Sequence, residues 1–395
     1  MKVSYAQTVY GQEEIDAVVN CLRTGTQMGA NATLFEQKIA SLFDKKYGLF
    51  VNSGSSALYL GMEACAFDKG SEVITPALTF STTVGCIVKN DLIPVFVDVG
   101  YNDYVIDVSK IEEAVTEKTV AILAPNLMGN LCDWKKIKEI ADKHDLMVIE
   151  DSADTLGATL NGIKSGAYCD WSITSFYGSH IINCAGNGGM LCMNNDDIYK
   201  RAKLLRSWGR SSSIFDEKSE AIENRFNTKI DNIEYDAKFI FEEIGYNLEG
   251  SEIGAAFGLV QLKNLNHNIK ERLKNFQIQT EFFEQFQQYF IVPKITENAY
   301  AAWLAYPIII SDNAPFTRKE FQIFLETNDI QTRTVFTGNI TRQPGFKNIS
   351  MKKSIFPNAD RIMKNAVLLA CHHGLNEEMF NHMHTIIKKF VERFK

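Results

Sequence analysis

Two rhythms of apolar positions alternate along the chain as far as about residue 195. Ile15–Arg23 and Ala32–Phe43 carry apolar residues three and four apart, which predicts amphipathic helices. Short β-branched runs follow at Tyr47–Val51, Glu72–Thr75, Ile93–Val97, Thr119–Leu123, Leu146–Glu150, Trp171–Ser175 and Gly189–Met193, with helical stretches between them. Strands alternating with helices predict an α/β fold: a mainly parallel sheet covered on both faces. Such a sheet places ligands at the carboxyl ends of its strands, so chemistry is sought just after each run.

Past this region the pattern changes. Residues 211–240 are polar and irregular and read as an excursion, either a flap over the site or part of a subunit contact. Helical spacing resumes at Glu252–Leu265 and extends over Asn268–Phe290. Ala305–Ile310, Thr332–Phe336 and Ala366–Ala370 are strand candidates in a tail that alternates with helices. The division expected is a large cofactor-binding domain over 1–260 and a smaller C-terminal α+β domain over 261–395. The length fits, at about 150 residues per domain.

Composition narrows the function. With 45% apolar and 23% charged residues the chain has the balance of a globular protein with a large core. A net charge of −7 with no basic run argues against nucleic acid, whose phosphates need clustered Lys and Arg. The first residues lack the pattern of a secretory signal and no apolar stretch is long enough to span a bilayer, so a cytoplasmic protein is expected. The 8 cysteines form no CxxC pair and read as free thiols. Cys184 and Cys192 lie close enough in sequence to keep a metal in view, but no metal is expected.

Three segments carry candidate chemistry. Asn52-Ser53-Gly54-Ser55-Ser56 follows a strand and opens a helix, where free N–H groups and the helix dipole favour an anion; a serine-capped turn is the plainer reading. Val148-Ile149-Glu150-Asp151-Ser152-Ala153-Asp154 ends a strand in acids, which is costly unless a cation or hydrogen-bond donor meets them; Asp151 could instead cap a helix. Ser175-Phe176-Tyr177-Gly178-Ser179-His180 leads from another strand into a loop, and Ala185-Gly186-Asn187-Gly188-Gly189 returns from it. A histidine taken by itself is more often structural than catalytic.

In this order and spacing the three segments resemble the fold-type-I pyridoxal-phosphate enzymes that modify nucleotide sugars, the DegT/DnrJ/EryC1/StrS superfamily. The likeness runs from Gly29 through Thr75-Pro76-Ala77-Leu78-Thr79-Phe80 to Gly245-Tyr246-Asn247 and Thr337-Gly338-Asn339. It implies that Gly54, Ser55 and Ser175 hold the cofactor phosphate, that Phe80 stacks on the pyridine ring, and that Asp151 pairs with the ring nitrogen. It places Asp154 near the ring hydroxyl, and Asn247 against the phosphate of the neighbouring subunit's cofactor, in a homodimer with shared sites.

One departure redirects the reading. His180 stands where the family carries its cofactor-binding lysine, and the lysines nearest in sequence are Lys164 and Lys200. An imidazole has no primary amine to condense with an aldehyde, yet it titrates near neutral pH and can move protons. The substitution resembles a branch of 3-dehydratases acting on nucleotide-linked 4-keto-6-deoxyhexoses, which make 3,6-dideoxysugars for surface polysaccharide. For that branch the resemblance implies pyridoxamine phosphate held without a covalent bond, His180 as base and, once protonated, as the acid for the departing C3 hydroxyl.

One subtype of the branch uses an iron–sulfur cluster; the other, which includes dehydratases of GDP-4-keto-6-deoxymannose, recycles the cofactor with L-glutamate. The elements around Leu205–Arg210, Tyr235–Leu248 and Gly338–Pro344 look closer to the first. Ser211-Ser212-Ser213 stands where that subtype has cysteines, and a cluster needs about four thiolates, so recycling with L-glutamate is expected. Tyr177, Arg210 and Arg333 are the candidate substrate contacts, the arginines for a diphosphate; surface ion pairs are the alternative. His372 and His373 match a tail element of the family and read as structural. A nucleotide-sugar aminotransferase and a non-catalytic sugar-nucleotide or cofactor-binding relative remain as rival readings, and an engineered lysine-to-histidine change is a further one.

Overall fold

The first sheet is built from runs that are apolar almost without interruption, the signature of strands buried on both faces. In the computed structural model, which describes residues 1–214, 222–349 and 354–394, it has seven strands. They are β1 (Tyr47–Val51), β2 (Glu72–Pro76), β3 (Ile93–Val97), β4 (Thr119–Pro125), β5 (Met147–Ser152), β6 (Trp171–Ser175) and β7 (Gly189–Met193), in the order β1-β7-β6-β5-β4-β2-β3. Pairings β2–β3, β2–β4, β4–β5 and β5–β6 are parallel, while β7 runs antiparallel to both β1 and β6. The expected mainly parallel α/β fold is the observed one.

α1 is Gln12–Thr24; helices α2 (Ala30–Leu42), α3 (Gly54–Ala64), α4 (Ser81–Lys89), α5 (Trp134–His144) and α6 (Asp196–Arg206) pack on this sheet. α7 (Glu252–Lys263) packs on α1 and α2, and α8 (Leu265–Phe283) follows it directly. The proposed division at 260/261 falls within α7. A second sheet has the order β8-β9-β10, from Phe290–Ile291, Tyr306–Ile310 and Ala366–Leu369, and is antiparallel. Its strands share an aromatic-rich core with α9 (Arg318–Thr327), α10 (Pro357–Asn365) and α11 (Glu377–Val391).

Two expected elements differ. The helix expected to reach Phe290 ends at Phe283, followed by a 3-10 turn at Glu284–Phe286. Phe282, Phe286 and Phe290 keep helical spacing across the break, but Phe290 pairs with Ile310 as a strand. Thr332–Phe336 is not a strand. Only Arg333 bridges, to Leu368, because Thr332 is drawn to the Glu326 carboxylate (N–H 2.5 Å, hydroxyl 2.9 Å) and Phe336 turns at φ 41°. The excursion over 211–240 contains a 3-10 turn at Ser211–Ser213 and a hairpin of Thr228–Ile230 with Ile233–Tyr235; residues 215–221 of it lie outside the described residues. Among the described residues no helix is long and apolar enough to cross a membrane.

Candidate active site

The carboxyl ends of β1, β2, β5 and β6 converge on one cavity of about 420 Å³, within the roughly 300–1,000 Å³ typical of small-molecule sites. β1 leads into α3, whose cap is Ser53: its hydroxyl accepts from the Ser56 N–H at 3.0 Å. The Gly54 and Ser55 N–H groups precede the first intrahelical bonds and are left for a ligand. A Cβ on Gly54 would stand 2.8 Å from the Ser175 Cβ, and one on Gly189 would stand 2.3 Å from the Ser53 carbonyl carbon. These two glycines let the β1–α3 turn close against β6 and β7. The Ser55 hydroxyl meets Thr82 at 3.2 Å.

Asp151 lies at the end of β5, 4% exposed. Thr83 Oγ1 donates to its Oδ2 at 2.8 Å and the Ala153 N–H to its Oδ1 at 3.1 Å. Burial raises its carboxyl above the ordinary value, with Glu150 adding repulsion. Asp154 Oδ2 accepts from the Met128 N–H at 2.8 Å, and burial pushes that carboxyl up to about 7 against this hydrogen bond, with Asp151 adding repulsion. No lysine or arginine is among the described residues lining the cavity. Carboxylates in such a place call for a cation. A ligand bringing a protonated ring nitrogen to Asp151 and an anionic group to the start of α3 answers both demands.

Beyond β6, the His180 Nδ1 lies 3.2 Å from the Ser175 carbonyl oxygen. A carbonyl only accepts, so this contact favours the neutral tautomer with the proton on Nδ1 and the lone pair on Nε2. Burial, with the Arg272 guanidinium adding to it, pulls the imidazole down to about 4 against its contacts with the Ser175 and Ala153 backbone. The ring is therefore neutral at neutral pH. Its expected service as an acid thus needs a prior proton capture. Tyr177 sits edge-on to it, ring centroids 6.0 Å apart.

Gly54, Ser55, Phe80, Asp151, Asp154, Ser175, Tyr177 and His180 all line this cavity. Phe80 is 48% exposed and stands edge-on to Phe336, centroids 5.9 Å apart. Asn247 and Arg210 do not line it. Asn247 is exposed and bridges Ser207, and the Arg210 guanidinium lies 5.2 Å from the Trp208 ring. Arg333 is also outside; it stands 5.5 Å from the ring of Tyr5, which does line the cavity. The buried His372 meets the Ser4 carbonyl at 3.1 Å, and His373 Nδ1 accepts from Arg272 Nε at 3.2 Å. Cys184 and Cys192 are buried in an apolar cluster, and no group of three or more metal-ligating side chains gathers among the described residues.

Tyr5, Thr82, Leu304 and Phe336 line the cavity without having been anticipated. Tyr5, Leu304 and Phe336 come from irregular segments and Thr82 from the start of α4, all far apart in sequence, and they carry no local motif.

Comparison with known proteins agrees with this geometry. The DegT/DnrJ/EryC1/StrS aminotransferase family profile matches residues 9–388. The chain is 33% identical over 398 positions, covering 98% of it and 90% of its relative, to the lipopolysaccharide biosynthesis protein RfbH of Salmonella typhimurium. It is 32% identical over 376 positions, 92% of it and 81% of the relative, to a dTDP-4-dehydro-2,6-dideoxy-D-glucose 3-dehydratase of Saccharopolyspora spinosa. A crystal structure of GDP-4-keto-6-deoxymannose-3-dehydratase with a trapped PLP-glutamate geminal diamine superposes with a TM-score of 0.87 at 26% identity, covering 97% of this chain and 99% of that one. The chain belongs to the DegT/DnrJ/EryC1/StrS aminotransferase family.

Proposed function

We propose that this protein is a 3-dehydratase that removes the C3 hydroxyl from a nucleotide-linked 4-keto-6-deoxyhexose, using pyridoxamine phosphate recycled with L-glutamate. The observation that carries the proposal is His180 lining the cavity, with no lysine among the described residues there. The cavity fits the cofactor: the Gly54 and Ser55 N–H groups and the Ser175 hydroxyl would hold the phosphate, Phe80 would pack on the ring, and Asp151 would keep the ring nitrogen protonated, with Asp154 in the same cavity. When bound, pyridoxamine phosphate supplies an amine for the sugar ketone and a ring that accepts electrons.

His180 moves the proton. Its neutral Nε2 would serve as the base and, once protonated, as the acid toward the departing C3 hydroxyl. The oxygen lost from the sugar balances the one gained when glutamate becomes 2-oxoglutarate and ammonia. Recycling by glutamate, rather than by an iron–sulfur centre, is supported by Ser211 and Ser212. Their hydroxyls donate to the carbonyls of Ala237, Ile240 and Lys238 at 3.2–3.3 Å.

The site is shared between two copies. Phe226, Ile233, Phe239, Phe241 and Ile244, in the stretch of sequence just before Asn247, are all more than half exposed, a density that marks an interface. On this reading Asn247 and Arg210 serve the partner's cavity, while Tyr177 and Arg333 contact the substrate of their own. The role is cytoplasmic supply of a dideoxysugar for surface polysaccharide.

The test is incubation with pyridoxal phosphate, glutamate and candidate 4-keto-6-deoxy sugar nucleotides, followed by mass spectrometry. A sugar lighter by one oxygen, with ammonia released, supports the proposal. A sugar that has gained nitrogen establishes the aminotransferase instead, and binding without turnover establishes the non-catalytic reading.

A further inference from the structure

Helix α8 buries a polar stripe. Asn268, Arg272, Asn275 and Gln279, spaced four, three and four apart, are each at most 4% exposed, on the face where apolar residues are expected. Every one of them donates to backbone carbonyls. Gln279 reaches Ala370 at 3.2 Å and Asn275 reaches His372 at 2.8 Å. Arg272 Nη1 reaches Trp303 at 3.1 Å and Leu304 at 3.0 Å, and its Nη2 reaches Ser179 at 3.4 Å and His180 at 3.3 Å. Asn268 reaches Ile181 at 3.0 Å. Three consecutive carbonyls of the histidine loop, 179 to 181, are thus held by one helix.

Arg272 is fully buried and makes no ion pair with a carboxylate in its hydrogen-bond set. A buried charge met only by carbonyl dipoles and the His373 ring nitrogen is costly to keep, and a neutral residue of similar size would pack at less cost.

We infer that Arg272, seconded by Asn268, is the positioning residue of the active site: from behind the cavity it fixes the loop that carries His180 and ties it to the 303–304 segment. The inference rests on the reading of His180 as proton carrier. Arg272 does not touch the reacting atoms. It acts through the His180 main chain and through its own positive charge, which opposes protonation of the ring. The other groups around His180 are Asp151 and Asp154 at the end of β5, Tyr177 on the loop itself and Tyr5 from the N-terminal segment. Burial is the main cause that keeps the ring neutral, and the Arg272 charge adds to it.

The experiment uses the full chain without cofactor. The His180 ring signal is followed by NMR against pH and assigned by its loss in a His180→Asn variant. In Arg272→Met the midpoint moves up by about one pH unit. In Arg272→Lys the charge remains and the midpoint stays low, but a single ammonium cannot span both carbonyl pairs. Both variants, and more mildly Asn268→Ala, lower kcat with KM little changed, by about 100-fold for Arg272→Met. A folded Arg272→Met or Asn268→Ala protein with an unmoved midpoint and unmoved kcat overturns the inference. Should Arg272→Met not fold, Arg272→Lys and Asn268→Ala decide on kcat alone. The titration needs no turnover, so a shifted midpoint in a protein that fails to dehydrate sugars refutes the proposed reaction and leaves the positioning role standing.

Discussion

The Nδ1 of His180 is tied to the Ser175 carbonyl 3.2 Å away, and Ser175 is also the residue whose side chain faces Gly54 across the cavity floor. The strand end that packs against Gly54 therefore also holds the histidine ring. On the proposed reading, proton transfer and cofactor anchoring are both set by one element, β6.

His180→Asn keeps a polar side chain of similar reach and loses the titrating nitrogen. Activity is expected to fall about 10²- to 10⁴-fold, while cofactor absorbance on the protein persists. In the wild type the imidazole lies at about 4 and works in its neutral form. The acid limb of kcat/KM attributable to this group is expected near that value, well below the ordinary histidine range, in a steady-state pH series.

Asp154 makes a stability prediction with a definite sign. Its folded carboxyl, at about 7, lies above its unfolded value of about 3.9. The stability it contributes is complete below the unfolded value and is lost as pH rises through about 7. Asp154→Asn removes that loss. Without cofactor, the margin by which the variant melts above the wild type is expected to widen between about pH 4 and pH 7 and to stay constant above that, by differential scanning fluorimetry.

Gly54→Ala tests the cradle. Its new methyl would meet Ser175 at 2.8 Å and crowd the N–H groups assigned to the phosphate. Lost hydrogen bonds to a charged group weigh about 1.5–3 kcal/mol, so pyridoxal phosphate titrated by absorbance should bind about 10- to 100-fold more weakly.

Sharing of the site is testable by mixing. Asp151→Asn and Asn247→Ala proteins are each expected to be severely impaired. If Asn247 serves the neighbour's cavity, co-refolded mixtures contain heterodimers with one intact site, and activity should recover to about a quarter of the wild type. No recovery would place both residues in one chain's site.

The large sheet was legible because buried parallel strands write themselves as unbroken apolar runs, and the runs of β1, β5 and β6 end where a site residue begins. Gly54, Asp151, Ser175 and His180 could be brought together for that reason. The second sheet was harder: Phe282, Phe286 and Phe290 preserve helical spacing through a helix end, and the Thr332–Phe336 run is diverted by Glu326, a partner no local pattern announces. Arg272 left a trace that went unread, a charged residue between Ile269 and Phe276 on the buried face of α8. On the proposed reading, Arg210 and Asn247 belong to a surface whose role needs a second copy of the chain, which no local pattern announces.

The central claim is that an imidazole, not an amine, faces the coenzyme. Protein saturated with pyridoxal phosphate should therefore be treated with borohydride and weighed intact by mass spectrometry. The account predicts the mass of the unmodified chain, all coenzyme having been released on denaturation. A chain heavier by one reduced pyridoxyl phosphate group, mapped to any lysine in the cavity, would contradict it.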